Sequence, residues 1–239
     1  MKKYLSVFML LTRSTIYRFA PLLAAAVAVE AALLMLVGAP DASGLEGAVN
    51  ASGLGIVSAL LFVLWTVQLC LTCGDNGAKS SYTLCRLRVS EREVFFVQAI
   101  HNCLSYTLLW AFCAALSYGL CLLYGAAVSP LDTQDIMLCF YRDDLFHALL
   151  PMGDAGAWAR LAGAIISLGI CSAAYPLDRK DRGRGAISVT ACAVIQLLSF
   201  SGNIGKVSGT DYLLTVVCLL IAGGVTASVM SEVKNDEEA

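Results

Sequence analysis

The sequence predicts an all-α, polytopic membrane protein with six transmembrane helices. Its composition is the first reason, because 58% of the 239 residues are hydrophobic and only 14% are charged, which is too apolar for a water-soluble domain of this length. The second reason is that the apolar residues are concentrated in six stretches, against the ~20 residues that a spanning helix needs. The stretches are residues 19–38, 53–71, 95–127, 158–175, 186–200 and 212–230, of which only the fifth is short.

The basic residues give these helices a direction. If both termini are cytoplasmic, all of the 16 lysines and arginines except Arg142, Arg160 and Lys206 lie on the cytoplasmic side, in agreement with the positive-inside rule. The opposite orientation would invert that bias. We therefore expect a multi-pass protein of the cell membrane, surrounded by the lipid bilayer, with cytoplasmic N- and C-termini. The net charge of −2 says nothing about partners, and no nucleic-acid partner is predicted.

Residues 1–239 are expected to form a single transmembrane domain. Residues 1–18 mix apolar side chains with Lys2, Lys3, Arg13 and Arg18, which predicts an interfacial amphipathic helix before the first span; a frayed polar tail is the alternative. Residues 19–230 make the six-span bundle. Residues 231–239 are predicted to be a charged, disordered cytoplasmic tail.

Two segments connect spans on the predicted outer side. Residues 39–52 are interpreted as an acidic loop. Residues 128–157 carry more apolar surface than an exposed loop tolerates, which predicts one or two short helices on or in the outer leaflet. The same segment contains Asp132, Asp135, Asp143 and Asp144, but without the spacing of an EF-hand. We therefore expect these carboxylates to be solvated at the surface.

The predicted inner loop between the second and third spans contains a helix start. Ser90 is followed three residues later by Glu93 and then by an apolar run, which is the pattern of a capping box. A helix is therefore predicted to begin near Glu91. The preceding residues 79–88 are predicted to form a separate short element, which could dock into a partner's groove or be a basic loop near anionic lipid headgroups.

This loop resembles the corresponding loop of ABC-2 type permeases, the membrane subunits of a class of ABC transporters. The resemblance covers residues 82–96, where the family has a short helix, Leu-Pro-Val-Ser, two basic residues, Glu and an apolar run. The matching residues are Leu87, Val89, Ser90, Arg92, Glu93, Val94 and Phe95. Departures include Arg88 at the position of the Pro, and Ser80 and Ser81 in place of a Gly-Thr pair. The long outer segment also lies between spans three and four, whereas outer helices of the family usually lie between spans five and six.

The resemblance implies a permease subunit of an ATP-driven exporter in the bacterial plasma membrane. Its partners would be an ABC ATPase subunit and a second permease subunit, in a homodimer or a heterodimer. The chain itself would bind no cofactor, because ATP and Mg²⁺ belong to the ATPase. The implied ATPase-coupling contact consists of Tyr82, Leu84, Cys85, Arg86, Leu87, Arg88, Val89, Ser90, Arg92 and Glu93. The substrate is not predicted.

Three polar residues inside the predicted spans are candidates for a translocation pathway or for buried hydrogen bonding. Glu30 follows Phe19 by eleven residues, which would place it about 17 Å into the first span, near the bilayer midplane. A charge at that depth costs at least about 2.5–3.5 kcal/mol, so it indicates a functional site unless it is paired or neutralised. His101 and Asn102 would lie about 9 Å into the third span. His101 could titrate during transport or only form hydrogen bonds within the bundle.

The sequence predicts no enzyme and no metal site. Residues 74–80 lack the Gly that precedes Lys in a phosphate-binding loop, and no intramembrane protease pattern is present. Cys70 and Cys73 have CxxC spacing but no second pair or nearby His. The ten cysteines lie mostly in apolar stretches, where a thiol acts as a small hydrophobe. The alternative to a transporter is a non-transporting membrane partner, such as an immunity or sensor subunit of an ATPase complex.

Overall fold

A computed structural model describes residues 2–38, 44–74, 90–128, 133–175, 182–199 and 209–238 of the chain. Within these ranges the protein is helical, with turns and no strand. The helices are α1 (Lys2–Leu33, continued by a π-helical turn, Leu34–Gly38), α2 (Leu45–Ser52), α3 (Leu54–Gly74), α4 (Glu91–Ala127), α5 (Thr133–Arg142), α6 (Asp144–Leu149), α7 (Ala155–Ala174), α8 (Arg182–Ser199) and α9 (Thr210–Glu238). The all-α prediction is confirmed for this part of the chain.

Five helices in the described part are long and apolar enough to cross a membrane, which supports a multi-pass membrane protein. They are Tyr4–Val37, Leu54–Leu71, Arg92–Ala127, Ala155–Ala174 and Thr210–Ser231. The predicted fifth span differs, because its apolar helical part is only Ala186–Leu197, within α8. That helix is shorter than the ~20 residues a spanning helix requires.

The two ends of the chain differ from the predicted layout. α1 runs without a break through residue 18 and contains Pro21, so residues 2–18 are helical but continuous with the first span. Their position at the membrane surface stays a prediction. At the other end, α9 extends to Glu238. The expectation of a disordered tail from residue 231 is therefore wrong, because the backbone of residues 231–238 is helical.

The predicted loop 39–52 is wrong for its second half, because residues 45–52 form α2. Four buried side chains at helical spacing explain the helix: Leu45, Ala48, Val49 and Ser52. Gly53 then adopts a left-handed conformation with φ 65°, which ends α2 and lets α3 begin at Leu54. A side chain with a Cβ would be strained in that conformation.

The helix start predicted at Glu91 is confirmed. Ser90 Oγ accepts a hydrogen bond from the backbone N–H of Glu93 (3.4 Å), and Glu93 Oε2 accepts one from the N–H of Ser90 (3.2 Å). Both halves of the capping box are therefore present. The expectation of one or two short helices in the segment 128–157 is also confirmed, by α5 and α6; their position at the outer leaflet stays a prediction.

The helices form a bundle with α7 at its centre and a cap at one end. α7 contacts α3, α4, α8 and α9. The 37 residues of α4 reach about 55 Å, compared with a hydrocarbon thickness of about 30 Å, so α4 extends well beyond the length of a single membrane crossing. Its C-terminal turns pack with α2, α5 and α6 around buried residues that include Leu120, Tyr124, Phe140 and Phe146. We call this end the distal cap and the opposite end, where α4 starts, the Ser90 end.

Candidate functional site

Asn102 joins α4 to α7 through a buried side-chain hydrogen bond. Its Nδ2 donates to Ser172 Oγ at 2.9 Å, and Ser172 Oγ donates to the carbonyl oxygen of Gly169 at 3.1 Å. Asn102 is 1% exposed and Ser172 is fully buried. The bond is close to the C-terminal end of α7, on the side of the bundle where α4 begins. Asn102 is thus a fixed interhelical contact in this conformation.

His101 lies beside Asn102 but faces α1. Its Nδ1 is 3.4 Å from Asn102 Oδ1, and its ring meets the ring of Phe8 edge to face, with 5.4 Å between the ring centres. His101 is buried. A buried imidazole that contacts both an amide and an aromatic ring can hold α1 against α4. His101 and Asn102 are therefore brought together, as their adjacency requires, whereas Glu30 lies elsewhere.

A second set of polar contacts next to these residues was not predicted. Trp65 Nε1 donates to Ser105 Oγ (3.2 Å), and the Tyr106 hydroxyl donates to Thr66 Oγ1 (2.9 Å), so α3 is tied to α4 twice. The signal was available in the sequence, because Gln98, Asn102 and Ser105 follow one another at helical spacing in a segment that is mostly apolar. All three are buried. The spacing of polar residues along α4 could have identified these side chains as buried. It could not have identified the helices that they contact.

Gln98 adds an unpaired donor to this polar region. Its side chain is 4% exposed, and Nε2 has no hydrogen-bond partner among the described residues. A buried amide without a partner is costly. We call Gln98, Asn102 and Ser105 the polar stripe on α4. Asn102 and Ser105 form hydrogen bonds to neighbouring helices, whereas the side-chain donor of Gln98, one turn before Asn102, has no acceptor among the described residues.

Glu30 lies against α3, away from His101. Ser58 Oγ donates to Glu30 Oε1 at 3.1 Å, and Glu30 is 3% exposed. Ser58 is in the second turn of α3, so Glu30 lies near the helix end that faces the distal cap. The position of Glu30 near the bilayer midplane stays a prediction. The partner of Glu30 on a neighbouring helix could not be predicted from the sequence.

An ion pair between α7 and α9 was also missed. Arg160 Nη1 donates to Asp211 Oδ1, and both residues are buried. Arg160 is the sixth residue of α7 and Asp211 is the second residue of α9, and these two helices run side by side. Gly156 and Gly163 allow this approach, because an added Cβ at Gly163 would lie 2.9 Å from Thr215 Cγ2.

The Ser90 end carries the described part of the predicted coupling contact. The Glu93 carboxylate has two roles: Oε2 completes the cap with Ser90, and Oε1 accepts a hydrogen bond from the Tyr4 hydroxyl at 2.5 Å. The first turns of α1 and α4 are therefore linked. Arg92 is partly buried in the same turn of α4. The remaining predicted contact residues, Tyr82, Leu84, Cys85, Arg86, Leu87, Arg88 and Val89, lie outside the described residues.

The described part of the chain has no group of three or more His, Cys, Asp or Glu that could hold a metal ion. Asp143 corrects the expectation of a solvated surface carboxylate, because it is 3% exposed and its Oδ1 caps α6 by accepting from the N–H groups of Leu145 (3.0 Å) and Phe146 (3.2 Å). Cys70 is a buried free thiol.

Comparison with known proteins adds no identification. No protein family, no curated protein and no solved structure matches this chain.

Proposed function

We propose that this chain is a permease subunit of an ATP-driven, ABC-type exporter, with six membrane crossings, cytoplasmic termini and a separate ATPase partner. The similarity of residues 82–96 to the coupling loop of ABC-2 permeases is the observation that carries the proposal. The capping box at Ser90 and Glu93 supports it, because it separates the proposed contact element from the start of α4 at the place where the family has that boundary. The short α8 would be the fifth crossing.

In this proposal the chain performs no chemistry and transmits movement. ATP-driven closure of the ATPase subunits would shift the segment 82–89, and α4 would move with it because Ser90 and Glu93 fix the beginning of that helix. The Tyr4 hydroxyl on Glu93 would carry the shift to α1. The movement selects between two arrangements of the permease pair, and the different contacts made in each arrangement supply the work.

Affinity purification of the tagged full chain from its native host in mild detergent tests this function. We expect an ATP-binding subunit to co-elute with the wild type and to be lost with Leu87→Asp, because a carboxylate would disrupt an apolar contact in a cleft. Val128→Asp is the matched control, since it places the same charge on an exposed residue at the distal cap. The ATPase should remain bound to that variant.

The co-purification also separates the proposal from the alternative of a non-transporting partner. If the ATPase is found, substrate-stimulated ATP hydrolysis by the complex is expected of a transporter and not of a passive partner. Absence of an ATPase even after chemical crosslinking would rule out the permease assignment.

A further inference from the structure

Three buried thiols meet where α7, α8 and α9 pack together. Cys171 is on α7, Cys192 on α8 and Cys218 on α9, and each is at most 1% exposed. The sulfur atoms of Cys171 and Cys192 are 3.9 Å apart, close enough for one thiol to donate to the other. Cys192 also hydrogen-bonds with the Cys218 thiol. Cys192 is therefore in contact with a thiol on each of the two neighbouring helices.

The Cys171–Cys192 pair lies toward the Ser90 end of the bundle. Cys171 is three residues before Ala174, the last residue of α7, which is about 5 Å along the helix axis. The pair is thus close to one end of α7 rather than halfway along it. A small uncharged molecule that enters from this end has only a short distance to travel between the helices.

Two sulfur atoms in contact can be joined by a disulfide bond. A bond of about 2 Å requires the two atoms to approach each other by roughly 2 Å, which rotations about the two Cα–Cβ bonds can supply. The fold already holds both side chains in place, so little further ordering is needed to close the bond. A metal ion is disfavoured here, because the described part of the chain has no group of three or more His, Cys, Asp or Glu that could hold one.

We propose that Cys171 and Cys192 form a reversible disulfide bond when the protein meets hydrogen peroxide, and that this bond fastens α8 to the central helix α7. The first thiol attacks the O–O bond of the peroxide, keeps one oxygen atom as a sulfenic acid and releases one water molecule. The second thiol then displaces that oxygen as a second water molecule. Both sulfur atoms are oxidised, the peroxide is reduced, and the two thiol hydrogens end in the water molecules.

The contact between the two sulfur atoms decides the product. Because the second thiol lies against the first, it captures the sulfenic acid before further oxidation can occur. The bond closes the chain between residues 171 and 192 into a loop, which restricts the position of the short helix α8. The inference goes beyond the proposed transport function, because it needs neither an ATPase nor a substrate.

Peptide mapping of the purified full chain in lipid nanodiscs tests this site. The protein is exposed to millimolar hydrogen peroxide, free thiols are blocked with N-ethylmaleimide in denaturant, and linked peptides are identified by mass spectrometry. We expect a disulfide between the peptides that contain Cys171 and Cys192, and its loss after dithiothreitol. The same oxidation of the chain denatured in SDS and urea should give at least about tenfold less of this linkage, because the two thiols are then no longer held together.

Single variants assign the linkage to these two residues. Cys192→Ser should abolish it, whereas Cys218→Ser should retain it. Cys113→Ser, at a buried cysteine of α4, is the matched control and should also retain it. The thermal midpoint before oxidation verifies that each variant is folded. After oxidation the midpoint should rise in the wild type but not in Cys192→Ser, because the bond restricts the unfolded chain.

Four outcomes would overturn this inference: no linkage of Cys171 to Cys192 in nanodiscs, a yield no higher than in the denatured chain, a linkage of Cys192 to Cys218 in its place, or a bond that leaves the thermal midpoint unchanged. The transport proposal is tested separately. Leu87→Asp should still form the disulfide, and Cys192→Ser should still co-purify with the ATPase, so either proposal can fail while the other stands.

Discussion

α7 and α1 show opposite ways for an apolar helix to belong to the same bundle. In the most apolar window of each helix, 67% of the residues of α7 are buried inside the protein, compared with 17% for α1. Yet α7 has the lowest mean hydropathy of the five candidate spans, while α1 is among the highest. The helix that is least apolar is therefore the one at the centre, which is the reverse of the pattern in a water-soluble protein.

The solvent explains this reversal. Lipid tails are as apolar as leucine, so large apolar side chains gain little by leaving lipid, and helices associate through close packing and hydrogen bonds instead. α7 has the residues for both: glycines at 156, 163 and 169, the serines Ser167 and Ser172, and Arg160. By contrast, α1 and α9 expose large side chains such as Met9 and Leu220. Small and polar residues thus mark the interior of this protein.

The largest expected effect comes from removing one member of the ion pair that joins α7 to α9. Arg160→Met leaves Asp211 buried without its partner, which should lower the free energy of unfolding by about 3–5 kcal/mol. Denaturant unfolding of the purified chain in detergent micelles measures the change. Adding Asp211→Leu should recover part of the loss, because no unpaired charge then remains.

Arg13→Met is the control for this prediction, since Arg13 is exposed and its removal should change stability little. A loss as small in Arg160→Met as in the control would mean that the pair does not hold α7 and α9 together. The central position of α7 would then rest on packing alone.

A smaller effect is expected where α7 packs against α4. An added Cβ at Gly169 would lie 2.9 Å from the backbone nitrogen of Cys103 and 3.1 Å from its Cα. Because backbone cannot move aside as the end of a side chain can, Gly169→Ala should destabilise the protein by about 1–3 kcal/mol. Gly223→Ala, on α9, is the matched control, because no atom lies within 4 Å of its added Cβ.

The same unfolding measurement distinguishes the two glycines. Gly223→Ala should be neutral or slightly stabilising, since alanine favours a helix by up to about 1 kcal/mol over glycine. Equal effects of the two substitutions would contradict a close approach of α7 and α4. They would also remove the main distinction between the central helix and the peripheral ones.

The parts of the fold that could be predicted are those specified locally. The capping box at Ser90 and Glu93 lies within four residues, and its geometry follows from residue type alone. The apolar stretches likewise identify the long helices. α2 carried a local signal too, in the spacing of Leu45, Ala48 and Val49, but the surrounding acidic and small residues favoured a loop. That error came from weighing composition above periodicity.

The contacts between helices could not be predicted in the same way. Arg160 and Asp211 are separated by 51 positions, and Asn102 and Ser172 by 70, so nothing in the local sequence connects them. Glu30 and its donor Ser58 are likewise 28 positions apart. For candidate site residues, the sequence could nominate which polar side chains are buried but not which neighbours they meet.

The smallest of these effects is expected at Asn102, whose hydrogen bond to Ser172 also connects α7 to α4. Asn102→Ala should lower the free energy of unfolding by about 1 kcal/mol. A double-mutant cycle with Ser172→Ala should give a coupling energy of about 0.6 kcal/mol, because polar groups also find partners in the unfolded state within a membrane environment. Such values would make the Asn102 hydrogen bond a structural contact that is weaker than the Arg160–Asp211 ion pair and the close approach at Gly169.

A different result would change the comparison between α7 and the peripheral helices. Asn102→Ala could keep its stability but abolish substrate-stimulated ATP hydrolysis in the assembled complex. The polar stripe on α4 would then serve the passage of substrate, and the burial of α7 would reflect a pathway beside it rather than packing alone.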